Sequence, residues 1–164
     1  MEAEIKYNSE SVREWLEDYV LAEEDIDSEI ERLEYFVSKM TSIGSQNMNG
    51  MPRSTNASTD RMADQLARKE ELEGSIRESV RKQAEVRKKI ETVVRKLKKV
   101  ERRSVIRLKY LDRTEWPDVL EVMYGNRDDF DDRYDTYKRA MYRHHEDALA
   151  EMAVVMNLIA TQEV

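Results

Sequence analysis

Nine positions near the start of the chain fix most of what it can become. Val12, Leu16, Tyr19, Glu23, Ile26, Ile30, Leu33, Val37 and Met40 recur at alternating steps of four and three residues, and all but Glu23 are apolar. That spacing keeps one narrow stripe against a partner helix, as in a coiled coil; an ordinary surface helix carries a wider stripe. A strand would instead alternate residue by residue. Only four Gly and two Pro interrupt the chain, which suits long helices and leaves few breaks for a sheet. The stretch predicts a rod of roughly 30 residues, about 45 Å long at ~1.5 Å each.

From 42 to 58 the periodicity stops. The segment is rich in Ser, Asn, Gly and Met, contains Pro52, and reads as a loop or tether too polar to bury. A second long helix is expected from Ser58 to Asp60 onward, ending near Lys99, with a seam of Leu72, Ile76, Val80, Gln83, Val86, Ile90, Val93, Val94 and Leu97. Two amphipathic helices joined this way most simply fold back on each other. The fold class expected is therefore all-α: a long antiparallel helical hairpin over 1–99, followed by a small helix-turn-helix domain over 100–164. Charge supports the pairing. Residues 1–43 sum to −9, 58–113 to +8 and 114–164 to −7, within a net charge of −7. The acidic first helix would lie along the basic second one, which accounts for the cations from Arg68 to Lys89. Arg95, Lys96, Lys98, Lys99, Arg102, Arg103, Arg107 and Lys109 outrun the acids near them in sequence, and phosphate contact is the competing reading there.

The last third reads as three short helices. Val105, Ile106, Leu108 and Leu111 lie on the first; Trp116, Val119, Leu120 and Met123 recur on the second. Thr114 stands at an expected N-cap, and Gly125 at an expected left-handed stop. The third helix is expected from about Thr136. Met141, His145, Ala148 and Met152 repeat on its apolar face, and Lys138, Arg139, Tyr142 and Arg143 lie away from it. A helix with one packed side and one cationic-aromatic side has the form of a major-groove reader, in which Arg forks onto guanine while Lys and Tyr hold phosphate. The plainer alternative is a solvated surface helix. Thr114 and Arg103 are the candidates for phosphate contact. Between the second and third helices lies an acidic insert, 126–135, with five Asp; a solvated turn, a cap or a screen against non-specific DNA are the roles considered for it.

Other chemistry finds little support. His144 and His145 are adjacent, so on a helix they point about 100° apart and are poorly placed to share a metal; a partly buried His145 is expected instead. The insert lacks the Gly and closing Glu of a calcium loop. There is no Cys, and no phosphate loop or nucleophile elbow. No cofactor and no enzymatic activity is expected. Without a signal-like N-terminus or a span of ~20 apolar residues, the expected location is the cytoplasm, with no membrane partner. The apolar tail from Ala153 is expected to extend the last helix and could add a dimer contact.

Glu101-Arg102-Arg103, Arg107-Leu108-Lys109-Tyr110-Leu111, Thr114-Glu115-Trp116 and Ala148-Leu149 together resemble the last region of sigma factors. The whole chain is more similar to phage-encoded sigma-like regulators with a coiled-coil front half, of the ArpU and RinA late-gene activator type, and Gly50-Met51-Pro52 and Asp60-Arg61-Met62 fit that group. The resemblance implies a transcriptional regulator in a bacterial host cell that binds double-stranded DNA at a promoter, with RNA polymerase as a further partner. The insert departs from the pattern, because it lengthens the turn before the last helix. A helical module that recruits protein without touching DNA is the alternative. A homodimer is left open, as is whether the hairpin closes within one chain or between two.

Overall fold

The structure, a computed structural model, describes residues 6–45 and 55–162. They form five α-helices and no strand: α1 (Ser9–Ser45), α2 (Thr55–Val94), α3 (Val100–Ile106), α4 (Trp116–Tyr124) and α5 (Tyr134–Gln162), with a π-helical stretch, Arg107–Leu111, running on from α3. The all-α expectation holds for these residues. None of the described helices is long and apolar enough to cross a membrane. Most of the expected 42–58 loop, together with Gly50-Met51-Pro52, lies outside the described residues; α1 reaches Ser45 and α2 begins by Thr55.

The chain divides into two compact units, 1–21 with 85–164, and 22–84, rather than at the 99/100 boundary. The apolar seams of α1 and α2 explain the different cut, because their outer ends are buried far more deeply than their middles. Val12, Leu16, Tyr19, Ile90, Val93 and Val94 join the same core as α3, α4 and α5. α1 starts cleanly in this unit. Asn8 Oδ1 accepts the Ser11 N–H at 2.8 Å, Ser11 Oγ accepts the Asn8 N–H at 2.9 Å, and two otherwise orphaned donors are satisfied reciprocally.

In the 22–84 unit the core is thin. Ile26 is buried, while Ile30 and Val80 are 37% and 47% exposed. Val80 therefore leaves the seam assigned to it, and Ser79 takes its place in a shallow groove with Ser75, Ile76 and Gln83, facing Ala22 and Ile26. Arg68 lies over the Phe36 ring, 5.3 Å from its centroid.

Four boundaries differ from expectation. α2 ends at Val94, not Lys99, because Lys96 and Leu97 bond back only three residues, to Val93 and Val94. Leu97 stays buried in the turn that follows, so its periodicity outlasts the helix. The N-cap of α4 is Glu115 rather than Thr114, and it makes no side-chain cap bond. Gly125 is right-handed, at φ −60° and ψ −22°. The chain does not stop there but keeps turning through 126–133, with Arg127, Phe130 and Arg133 N–H groups bonded back three or four residues. Glycine is needed at 125 for room, since a Cβ would sit 2.5 Å from the Glu121 carbonyl oxygen. The positive φ falls on Arg113, at 53°. α5 begins at Tyr134, two residues before Thr136.

Candidate nucleic-acid interface

The first half of α5 carries the candidate face, and its other side is held from several directions. Met141, His145, Ala148, Leu149 and Met152 are buried, as their four- and three-residue steps require. Arg102 on α3 reaches across to α5, its Nη1 donating to Glu151 at 2.8 Å and its Nη2 to Asp147 at 3.2 Å. Glu151 also accepts the Lys98 N–H at 2.9 Å. Burial works against its ionisation, but the Arg102 and Lys98 donors outweigh this and hold its carboxyl below the usual range. On α1, Arg13 forks onto Glu146 at 2.8 and 3.0 Å. Asn157 clasps the Tyr7 backbone, accepting its N–H and donating to its carbonyl, both at 2.9 Å.

Two aromatic groups complete the support. The Tyr110 hydroxyl meets Nε2 of the buried His145 at 2.8 Å. Burial pushes the Tyr110 pKa up to about 12 and lowers that of His145. Burial thus favours the neutral ring, whose tautomer with Nε2 bare accepts a hydrogen bond from the phenol. Trp116 stands edge-on to His145 at 5.0 Å and against Tyr142 at 5.1 Å, with the Lys109 ammonium 5.2 Å from its centroid.

The insert is a largely solvated turn, as one of the expected roles has it, but aromatic rings order it. Tyr124 stacks on Tyr137 at 4.9 Å, Phe130 packs on Tyr134 and Tyr137, and Arg127 lies over both Tyr124 and Tyr137. The Tyr137 hydroxyl donates to Asp129 at 2.6 Å, which, with Arg133, lowers that carboxyl's pKa. Asp128, Asp131, Asp132 and Asp135 remain exposed.

Of the six candidate residues, the structure brings four together. Lys138, Arg139, Tyr142 and Arg143 are all exposed on consecutive turns of α5. Lys138 and Arg143 have no ion-pair partner among the described residues, and Arg139 makes a bond only to the Asp135 carbonyl, at 3.3 Å. Thr114 is half-buried in the turn before α4, donating its N–H to Leu108 and accepting from Lys109 through its carbonyl. Arg103 sits elsewhere, its Nη1 donating to the carbonyls of Leu97 and Lys98, where it closes the α2–α3 turn. The cationic surplus is also smaller than the sequence implies. Arg102, Arg107 and Lys109 have the acids Glu151, Glu91 and Glu115, at 2.8, 3.1 and 3.8 Å. Lys96, Lys98 and Lys99 remain exposed and make no ion pair among the described residues.

Two residues that matter to this face do not stand out from spacing. Trp116 reads as an ordinary apolar position of α4, and Lys109 as one of many cations. The run of aromatics at 124, 130, 134 and 137 is the signal that could have shown the insert to be packed.

These features define an all-helical protein whose last long helix presents a cationic-aromatic face beside a structured acidic turn. Residues 47–143 match the family described as Protein of unknown function (DUF1492), and the chain belongs to that family. The matched span holds all six candidate residues. No curated protein and no solved structure matches the chain.

Proposed function

We propose that the chain is a DNA-binding transcriptional regulator, of the phage late-gene activator type, acting at a promoter through the α5 face. The observation that carries the reading is that Lys138 and Arg143 are exposed, with no ion-pair partner among the described residues, on a helix that its buried residues from Met141 to Met152 lock into the core. Such a helix enters a groove at a fixed angle without first breaking ion pairs. In this reading α4 and α5 are the two helices of a helix-turn-helix with a lengthened, aromatic-packed turn. α1 and α2 form the coiled-coil hairpin before it. Its support lies within the 22–84 unit, where Ile26 shares a groove with Ser79 and Gln83 while Phe36 meets Arg68, so that positions rise along one helix as they fall along the other. Lys96, Lys98 and Lys99 would add phosphate contacts. RNA polymerase and a second copy of the chain are the further partners, the bacterial cytoplasm is the compartment, and the protein acts by binding rather than by catalysis.

The test is titration against duplex DNA from upstream of the protein's own gene cluster, at low and moderate salt. Affinity should fall steeply with salt. Lys138→Glu with Arg143→Glu should abolish binding, and unchanged binding by that double variant would remove the face from consideration. A second reading, a helical protein-interaction module, draws on Val100 and Val122. Both are 63% exposed beside a groove of about 440 Å³ between α3 and α4. Its signature would be no DNA binding at either salt concentration.

A further inference from the structure

We infer that Tyr142, held on Trp116, is the side chain by which the α5 face recognises the 5-methyl group of a thymine in the major groove. The inference rests on the DNA-binding reading and gives the face a base preference.

Position comes first. On a helix of ~3.6 residues per turn, Lys138 and Arg139 lie about 40° to one side and about 60° to the other of Tyr142, one turn earlier. Arg143 lies about 100° round from it. One turn later the cations give way to Glu146, which is tied to Arg13. Tyr142 therefore belongs to a short cationic patch and lies on its side nearest α4, with Arg139 and Arg143 reaching outward to phosphates or to guanine edges. In the DNA-binding reading the patch lies along the groove, and Tyr142, its one uncharged member, is the side chain suited to the base edges.

Chemistry comes next. The ring of Tyr142 rests against Trp116 with the planes inclined at 57°, and still leaves the residue 38% exposed. Trp116 itself is fixed, with Lys109 over its face and the buried His145 edge-on to it. An exposed aromatic normally surrenders rotamer freedom when it binds, whereas this one is already restrained. Among the described residues the Tyr142 hydroxyl has no hydrogen-bond partner, so no interaction within the protein has to break. A rigid apolar edge on the floor of the major groove finds one apolar group among the four bases, the thymine methyl.

The experiment uses the full chain and duplexes enriched from a library with a randomised stretch. Each thymine of the enriched duplex is replaced in turn by deoxyuridine, which removes the methyl and keeps the pairing. At one or two positions affinity should fall about fourfold, the worth of one buried methyl-sized group. The Tyr142→Ala variant should bind the enriched duplex more weakly and show no such position, while Tyr142→Phe should keep both affinity and the position. Circular dichroism confirms that each variant folds. Three results overturn the inference while leaving DNA binding intact: an enriched duplex with no methyl-sensitive position, sensitivity that survives Tyr142→Ala, or a uniform loss in Tyr142→Phe, which would put the hydroxyl on a phosphate. Failure to enrich any duplex overturns the DNA-binding reading and this inference with it.

Discussion

The Tyr110 hydroxyl lies 2.8 Å from Nε2 of His145, and both residues are buried where the π-helical stretch meets α5. Burial disfavours the imidazolium, so the folded protein binds a proton at His145 less readily than the unfolded chain does. Stability from this group is complete above the unfolded pKa of about 6.5 and is lost as pH falls from there through the lower folded value. Glu146 favours the charged ring while Arg13 and Lys109 oppose it, which leaves burial in command. Thermal melts should show Tm dropping between about pH 7 and pH 5, and His145→Gln should flatten that part of the profile. A profile of unchanged slope in the variant would assign the loss to carboxylates.

Arg102 gives a second expectation. Its side chain is 19% exposed and that of Glu151 15%, so removing the guanidinium strands a largely buried carboxylate. Arg102→Ala should cost about 3 kcal/mol in urea unfolding, near the lower end for broken buried pairs because Asp147 is more exposed. Arg102→Met with Glu151→Met should recover much of it, since the one carboxylate then left without its partner, Asp147, is exposed enough for water to solvate.

Gly74 and Gly125 should respond with opposite sign. Gly74 lies inside α2 with nothing within 4 Å of a would-be Cβ, so Gly74→Ala should stabilise by about 0.5–1 kcal/mol. Gly125→Ala would bring its Cβ to 2.5 Å from a backbone oxygen and should destabilise by about 1–2 kcal/mol. Chemical denaturation of the two variants side by side checks both.

The exposed acids of the insert should act on DNA affinity rather than on folding. Asp131→Asn with Asp132→Asn should leave the melting curve nearly unchanged, because neither residue has an ion-pair partner among the described residues. Non-specific duplex binding should tighten severalfold at low salt as repulsion of phosphate is relieved. Equal affinity across a salt series would show that the insert does not face the duplex.

Much of this architecture was legible in the amino-acid pattern, and what was not has physical causes. The four- and three-residue steps of Val12, Leu16, Tyr19 and Ile26 mark buried positions correctly, because helical periodicity depends only on local geometry. The same logic placed Met141, His145, Ala148 and Met152 inside and Arg143 outside, whereas Lys138, seven residues before His145 and on the same side of the helix, is exposed near the start of α5. It failed where tertiary contacts decide. Leu97 keeps its rhythm beyond the end of α2, and Val80 yields its place to Ser79, whose small side chain suits the shallow groove. Arg103 counted as a spare cation until the turn carbonyls it serves were known. The insert is as solvated as its five Asp imply, and what its composition hides is the cluster of Tyr124, Phe130 and Tyr137 rings that orders it. That Trp116 supports Tyr142 depends on a contact between α4 and α5 that spacing does not encode.

The core that holds α5 is drawn from two stretches of chain, 1–21 and 85–164, with 22–84 between them. Ordering such a discontinuous nucleus requires a long excursion to be closed, and the entropic penalty grows with the logarithm of the excursion's length. If α1 and α2 zip together locally first, that penalty is met by short-range helix formation before Leu16 and Ile90 meet. The intervening stretch would then set how fast the cationic helix is brought into register. Mutations there, far in sequence from any base-reading side chain, should slow its assembly without altering which surface it finally presents.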